Sequence, residues 1–322
     1  MWRIFAALGW CAALSAQRPD IRVDVGAVNV TCEVTDRHGA PVKNLTAADF
    51  ELRDNGRVQS VEHLWQEDDL PLTIGLIVDI SGSQSAFIQS HRDAVTQFLR
   101  QVMRPQDRAF IATVGPEAKL LADLTSSAEE LRKRIDLIDF SNNAGTQFGE
   151  SCDTVLPLSG CGGTALWNAV YAAAGQKMKW IQGRKALIVL SDGFDTGSMH
   201  SLGDAIEAVQ ETETVVYAIK YVDPDVSLAQ AGLLGRKPNR GLERLTDETG
   251  GWTFPDPASQ LPEIFDKIQI DLRNQYVIGF TPPPEARDGR FHKLEVKMAH
   301  PASAFFKQLT VRARIGYFAP SK

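Results

Sequence analysis

Residues Leu72–Ser83, LTIGLIVDISGS, constrain the fold more than any other stretch of the chain. Leu72, Ile74, Leu76, Ile77 and Val78 are apolar with almost no alternation. A strand that shows neither face to water is the pattern of the middle of a parallel sheet, covered by helices on both sides. The run breaks at Asp79 into Asp79-Ile80-Ser81-Gly82-Ser83, and a helical stripe follows: Phe87, Ile88, His91, Val95, Phe98, Leu99 and Val102. His91 on that stripe reads as a packed histidine rather than a ligand. Open α/β sheets bind ligands at the carboxyl edge of their strands, which is where this break puts a carboxylate and two hydroxyls.

Asp79, Ser81 and Ser83 are alternate residues, and alternate side chains of an extended or turning backbone can share one side. Two readings are open at this point. The three oxygens form a hard donor set suited to Mg²⁺, Mn²⁺ or Ca²⁺. Alternatively, the same residues only cap the next helix, where Ser and Asp are preferred.

Two later stretches bear on that choice. Arg184–Asp195, RKALIVLSDGFD, is a second apolar run that ends in Ser191-Asp192-Gly193. Gly162-Gly163-Thr164 stands just before a helical pattern over Ala165–Ile181. With these in place the sequence resembles the von Willebrand factor type A (VWA) family over roughly residues 70–281, in a secreted bacterial branch. That family carries a metal-ion-dependent adhesion site built from Asp-x-Ser-x-Ser, a distant Thr and a distant Asp. The matching positions are Asp79, Ser81, Ser83, Thr164 and Asp192, all present and in order.

The resemblance implies a doubly wound, mainly parallel, Rossmann-like sheet. It implies direct contact of Ser81, Ser83 and Thr164 with Mg²⁺ (or Mn²⁺ or Ca²⁺), with Asp79 and Asp192 acting partly through water. It also implies one coordination position left for an Asp or Glu carboxylate of a protein ligand. In some relatives such binding is coupled to movement of the last helix, here the pattern over residues 261–273. Asp195 reads either as a support for this site, holding a water or the loop, or as a solvated loop carboxylate.

The alternation of strand and helix patterns from residue 69 to 274 independently predicts a mainly parallel sheet with helices on both faces. The flanks differ. Ile21–Thr35 alternates with a phase slip at Gly26-Ala27, and Phe50–Trp65 reads as a hairpin turning at Asn55-Gly56. Tyr276–Phe280, Lys293–Met298 and Leu309–Ile315 alternate as well. Neither flank has enough strands for a stable sandwich, but together they do. The expected organisation is therefore a signal peptide (1–17), an N-terminal β segment (18–68), the α/β domain (69–274) and a C-terminal β segment (275–322). The α/β domain is inserted between two halves of one β-sandwich-like domain.

The N-terminus, MWRIFAALGWCAALSAQ, has one Arg, an apolar stretch and small residues, the form of a secretory signal. An N-terminal anchor is the competing reading, and no later stretch is apolar enough to span a bilayer. A secreted or periplasmic location follows. In an exported chain Cys152 and Cys161 are expected to pair, two free thiols being the alternative. Closure of that loop stabilises by about 2.5–3 kcal/mol in the chain-entropy model. Cys32 reads as a small buried hydrophobe.

The net charge of −6 argues against a nucleic-acid partner. Enzyme signatures are missing too. Ser81 lacks the Gly-x-Ser-x-Gly elbow, no phosphate-binding Gly-Lys-Ser/Thr occurs, and the histidines are scattered rather than spaced for zinc. An aspartyl phosphotransferase usually has a second Asp two residues after the first, where this chain has Ser81. The expectation is a metal-dependent binding protein, not an enzyme. The alternative is a structural or scaffold module whose metal site is vestigial or serves folding only.

Overall fold

The computed structural model describes residues 27–66, 70–81, 88–138, 164–221, 239–255, 260–300, 303 and 305–320, with backbone only at 88–91. Ser83, Cys152, Cys161 and the proposed signal lie outside the described residues.

The chain opens with strands β1 (Val28–Thr35), β2 (Phe50–Asp54), β3 (Arg57–Gln59) and β4 (His63–Gln66). The α/β unit follows. It comprises β5 (Leu72–Asp79), α1 (Ile88–Val102), β6 (Arg108–Val114), β7 (Ala118–Thr125), α2 (Ala128–Asp136) and α3 (Leu166–Ala172). Then come β8 (Arg184–Ser191), α4 (Leu202–Glu211), β9 (Thr214–Lys220), α5 (Gly241–Thr249), β10 (Thr253–Pro255) and α6 (Leu261–Asn274). Strands β11 (Tyr276–Phe280), β12 (Phe291–Met298), β13 (Thr310–Ala313) and β14 (Gly316–Phe318) close the chain.

The central sheet has the order β10-β9-β8-β5-β6-β7. Its strands are parallel except β7, which returns antiparallel along β6. Every residue of β5 is buried, as its unbroken apolar run requires. Leu72, Ile74, Leu76 and Val78 pack with α1, α2 and α6 on one face. Ile77 packs with α3, α4 and α5 on the other. Gly75 belongs to the second face, and a Cβ there would lie 2.5 Å from Phe110 and from Leu187. Its missing side chain is the space those two fill.

Asp107, fully buried, holds the opposite edge of the sheet together. It accepts from the backbone N–H groups of Leu72 (2.8 Å) and Arg104 (2.8 Å) and pairs with the Arg273 guanidinium of α6. Helix α6 is thereby tied to the start of β5.

Strands from both flanks share sheets. One sheet has the order β13-β1-β11-β4 and the other β14-β12-β2-β3. Val30, Cys32, Leu52, Ile278, Phe280, Leu294 and Tyr317 fill the core between them. Cys32 is a free, buried thiol whose pKa burial pushes up. The α/β unit is thus inserted into an antiparallel sandwich built from both ends of the described chain.

Three details differ from the local pattern. The hairpin at Asn55-Gly56 joins only β2 and β3, and β4 crosses to pair with β11 in the other sheet. The strand expected over Leu309–Ile315 is shorter, β13 spanning Thr310–Ala313, and a further strand, β14, starts at Gly316 beside β12. The helical pattern over Ala165–Ile181 is α only to Ala172 and continues as a wider π turn over Ala173–Met178. Gly175, a poor helix former, lies in that turn.

The two units meet through polar contacts, one around buried Arg314 and one nearer the surface. Arg314 donates to the backbone carbonyls of Gln210 (3.1 Å) and Asn29 (2.6 Å). The Arg312 guanidinium lies 3.2 Å over the ring of Trp252, whose indole N–H donates to Glu33 at 3.1 Å.

Candidate metal centre

Asp79 is the last residue of β5, and Ser191 is the last residue of the adjacent parallel strand β8. Val78 pairs with Leu190, so Asp79 and Ser191 leave the sheet side by side. Ser191 Oγ donates to Asp79 Oδ2 at 2.6 Å and accepts from the Gly193 N–H at 3.0 Å. The Ser81 N–H donates to Asp79 Oδ1 at 2.9 Å. The backbone beyond Asp79 is held by a bond from the Ile80 N–H to the Val114 carbonyl, 2.8 Å.

Asp192 follows Ser191 directly, and its Oδ1 accepts from the Phe194 N–H at 2.9 Å. The chain turns there at Gly193, whose φ of +80° is a conformation L side chains rarely adopt. The Asn239 amide, just before α5, donates to the Gly193 carbonyl and fixes the turn.

Thr164 comes to the same edge from the other side. Its neighbour Ala165 donates to the Gly115 carbonyl, just past β6, at 2.7 Å. The Thr164 N–H donates to Thr196 Oγ1 at 3.0 Å, and the Thr164 carbonyl accepts from the N–H groups of Thr196 (3.0 Å) and Gly197 (3.2 Å). Asp79, Ser81, Thr164 and Asp192 therefore stand on connected loops at the carboxyl edge. Asp79, Thr164 and Asp192 are 1, 7 and 8 % exposed. Ser83, the remaining matching position, is outside the described residues.

Burial pushes the Asp79 carboxyl up to about 6, against hydrogen bonds from Ser191 and Ser81 that favour its charged form. The nearby charge of Asp192 raises it further. Two carboxylates are thus held, largely out of water, within repulsive range of each other. A hard divalent cation placed between them would reverse that repulsion, and the surrounding donors are hydroxyl oxygens of the kind such a cation takes. The residues present fit a metal of this class. Among the described residues no group of three or more His, Cys, Asp or Glu is placed to hold a metal.

Asp195 is not a freely solvated carboxylate. Its Oδ1 accepts from the Trp167 N–H (3.3 Å) and from Ser198 Oγ (2.5 Å). Ser198 Oγ in turn accepts from the Asn168 N–H at 3.0 Å. Helix α3 starts at Leu166, and its N-cap residue, Ala165, carries no side-chain acceptor. Its free N–H groups are satisfied by residues 28 and 30 positions later in the chain. Local pattern singles out Asp195 but not Thr196, Ser198 or Ser191. The adjacency of Ser191 to Asp192 was the one local signal available.

No family model matches the chain, and no curated protein does. Among solved structures, the chain is similar to the conserved hypothetical protein BatB from Bacteroides thetaiotaomicron at 14 % identity, covering 61 % of this chain and 97 % of that one, TM-score 0.43. It is also similar to proximal thread matrix protein 1 of the mussel byssus at 13 % identity, covering 68 % of this chain and 51 % of that one, TM-score 0.48. A form of the mussel protein with a zinc-occupied MIDAS motif aligns at 14 % identity over 65 % of this chain and 49 % of that one, TM-score 0.45. The chain thus spans about half the length of the mussel protein. The fold class rests on the strand order and packing described above: a mainly parallel six-stranded sheet between helical layers, with antiparallel sheets beside it.

Proposed function

We propose that this is a VWA-type binding protein that engages a protein ligand through a divalent cation. Asp79, Ser81, Ser83, Thr164 and Asp192 would hold the ion, Mg²⁺ by the chemistry of the donors and Mn²⁺ or Ca²⁺ by the same criterion. When bound, the ion supplies a Lewis-acidic position for an Asp or Glu carboxylate oxygen of the partner. The residues of this chain do the rest. Ser191 and the Ser81 N–H orient the Asp79 carboxyl, burial keeps water from both aspartates, and the loop after β8, which carries Asp192, is hydrogen-bonded to Thr164.

The observation that supports this reading is the hydrogen-bonded meeting, at the carboxyl edge of the sheet, of the loops that carry Asp79, Thr164 and Asp192. Calorimetric titration of Mg²⁺ tests it: wild type gives binding heat and Asp79→Ala gives none. Equal heats remove the site. Pull-downs with and without Mg²⁺ then separate adhesion from a purely structural ion, which would stabilise the fold yet recruit no partner.

The role is binding rather than catalysis, and turnover of a generic phosphate ester would contradict it. Export to the periplasm or the cell exterior belongs to the same reading, resting on the form of residues 1–17. Among the described residues no helix is long and apolar enough to cross a membrane. Fractionation of cells expressing the full chain checks the location.

A further inference from the structure

Thr164 and Asp192 reach the site on different loops, and a metal centre needs its donors held to a fraction of an ångström. One residue spans the two loops. Thr196, four positions after Asp192, uses its hydroxyl as acceptor for the Thr164 N–H and its own N–H as donor to the Thr164 carbonyl, both at 3.0 Å. Gly197 adds a second donor to that carbonyl at 3.2 Å. Both backbone polar groups of Thr164 are therefore bound to the loop that carries Asp192.

The loop is in turn fastened to the start of α3. Asp195 takes the Trp167 N–H, Ser198 takes the Asn168 N–H, and Asn168 Oδ1 accepts from the N–H groups of Met199 and His200 at 3.0 Å each. The segment from Asp195 to His200 and the first turn of α3 form one hydrogen-bonded unit. Local sequence does not provide it, because Ala165 offers no cap.

We propose that Thr196 is a positioning residue of the metal centre, aligning Thr164 with Asp192 without touching the ion. The proposal rests on the metal-binding reading above. Removal of the Thr196 hydroxyl leaves all five proposed ligands in the chain and frees the Thr164 N–H, while the two backbone bonds to the Thr164 carbonyl remain, so the frame shared by the donors is loosened. Loss of such outer support typically lowers metal affinity about 10–100-fold.

The test uses the full chain and Mg²⁺ alone, read by calorimetry, with four variants. Thr196→Val binds at least about tenfold more weakly than wild type, and Thr196→Ser, which keeps the oxygen, restores affinity to within about twofold. Thr249→Val is the control for general destabilisation. Thr249 is buried and hydrogen-bonded to Leu245 and Val216, between α5 and β9. This variant lowers the melting temperature but keeps wild-type affinity. Asp79→Ala shows no binding.

If Thr196→Val binds as wild type while Asp79→Ala does not, the positioning role is wrong and the site stands. If wild type itself binds no Mg²⁺, the site reading fails and takes this proposal with it. Should Thr196→Val not fold, hydrogen exchange of the Thr164 amide in metal-free wild type decides. Protection is expected, and exchange at the rate of an open loop overturns the proposal.

Discussion

Ser191 Oγ donates a 2.6 Å hydrogen bond to Asp79 Oδ2, joining the ends of two adjacent parallel strands by one side-chain contact. The same oxygen accepts the Gly193 N–H, so one hydroxyl serves both loops of the candidate site. Ser191→Ala strands a buried carboxylate oxygen and a backbone N–H. A loss of about 1–3 kcal/mol is expected from urea unfolding. A change under about 0.5 kcal/mol would mean that neither bond matters to the fold.

Asp195 acts as a helix cap supplied from a distant loop. Asp195→Ala should cost about 1 kcal/mol, the usual value for loss of an N-cap acceptor. Asp195→Asn keeps an oxygen in place and should recover most of it. Denaturant midpoints of the two variants, compared side by side, check this.

Metal loading gives a prediction by mass action. At a Mg²⁺ concentration a hundred times its Kd, the folded state gains about 2.7 kcal/mol, and the melting temperature rises accordingly. Excess EDTA reverses the rise. Asp79→Ala should melt at the same temperature with Mg²⁺ as with EDTA.

Asp271 of α6 is buried against the Tyr217 hydroxyl, to which the Gln275 side chain also donates at 3.0 Å. Burial, with the nearby charge of Glu33, pushes its carboxyl up to about 8. In the unfolded chain it titrates at about 3.9. Between those values the folded state binds the extra proton, so this group's contribution to stability is complete below pH 4 and falls as pH rises toward 8. Asp271→Asn, which mimics the neutral acid, removes that fall. Unfolding free energies of both proteins from pH 5 to 9 should diverge with the wild type losing more at the alkaline end.

Arg314 bonds the Gln210 carbonyl in the α/β unit and the Asn29 carbonyl in the sandwich. Arg314→Ala leaves both acceptors, and Glu213 at 3.7 Å, without their cation. A loss of about 3 kcal/mol is expected, in the range for breaking a buried charged contact. Thermal melts monitored by Trp fluorescence measure it.

Periodicity alone was enough to find the buried strand at Leu72–Asp79, its parallel partner at Arg184–Ser191, the helices between them and the antiparallel flanks. These features are written in neighbouring residues, because a doubly covered strand must be apolar throughout and a half-covered one must alternate. Asp79 was visible for the same reason, since it breaks an apolar run at its carboxyl end, and Ser81 lies in the break it opens; Thr164 and Asp192 were named through the family resemblance. The crossing of β4 to the second sheet was not visible, since alternation tells that a segment pairs but not with which strand. Nor were the tasks of Ser191, Asp195 and Thr196. Their partners are 112, 28 and 32 residues away, and a hydrogen bond leaves no mark in local pattern when its two ends meet only after the sheet has formed. The burial that lifts the Asp79 carboxyl, and the smaller contribution from the charge of Asp192, likewise arise only once the sheet and its loops have packed.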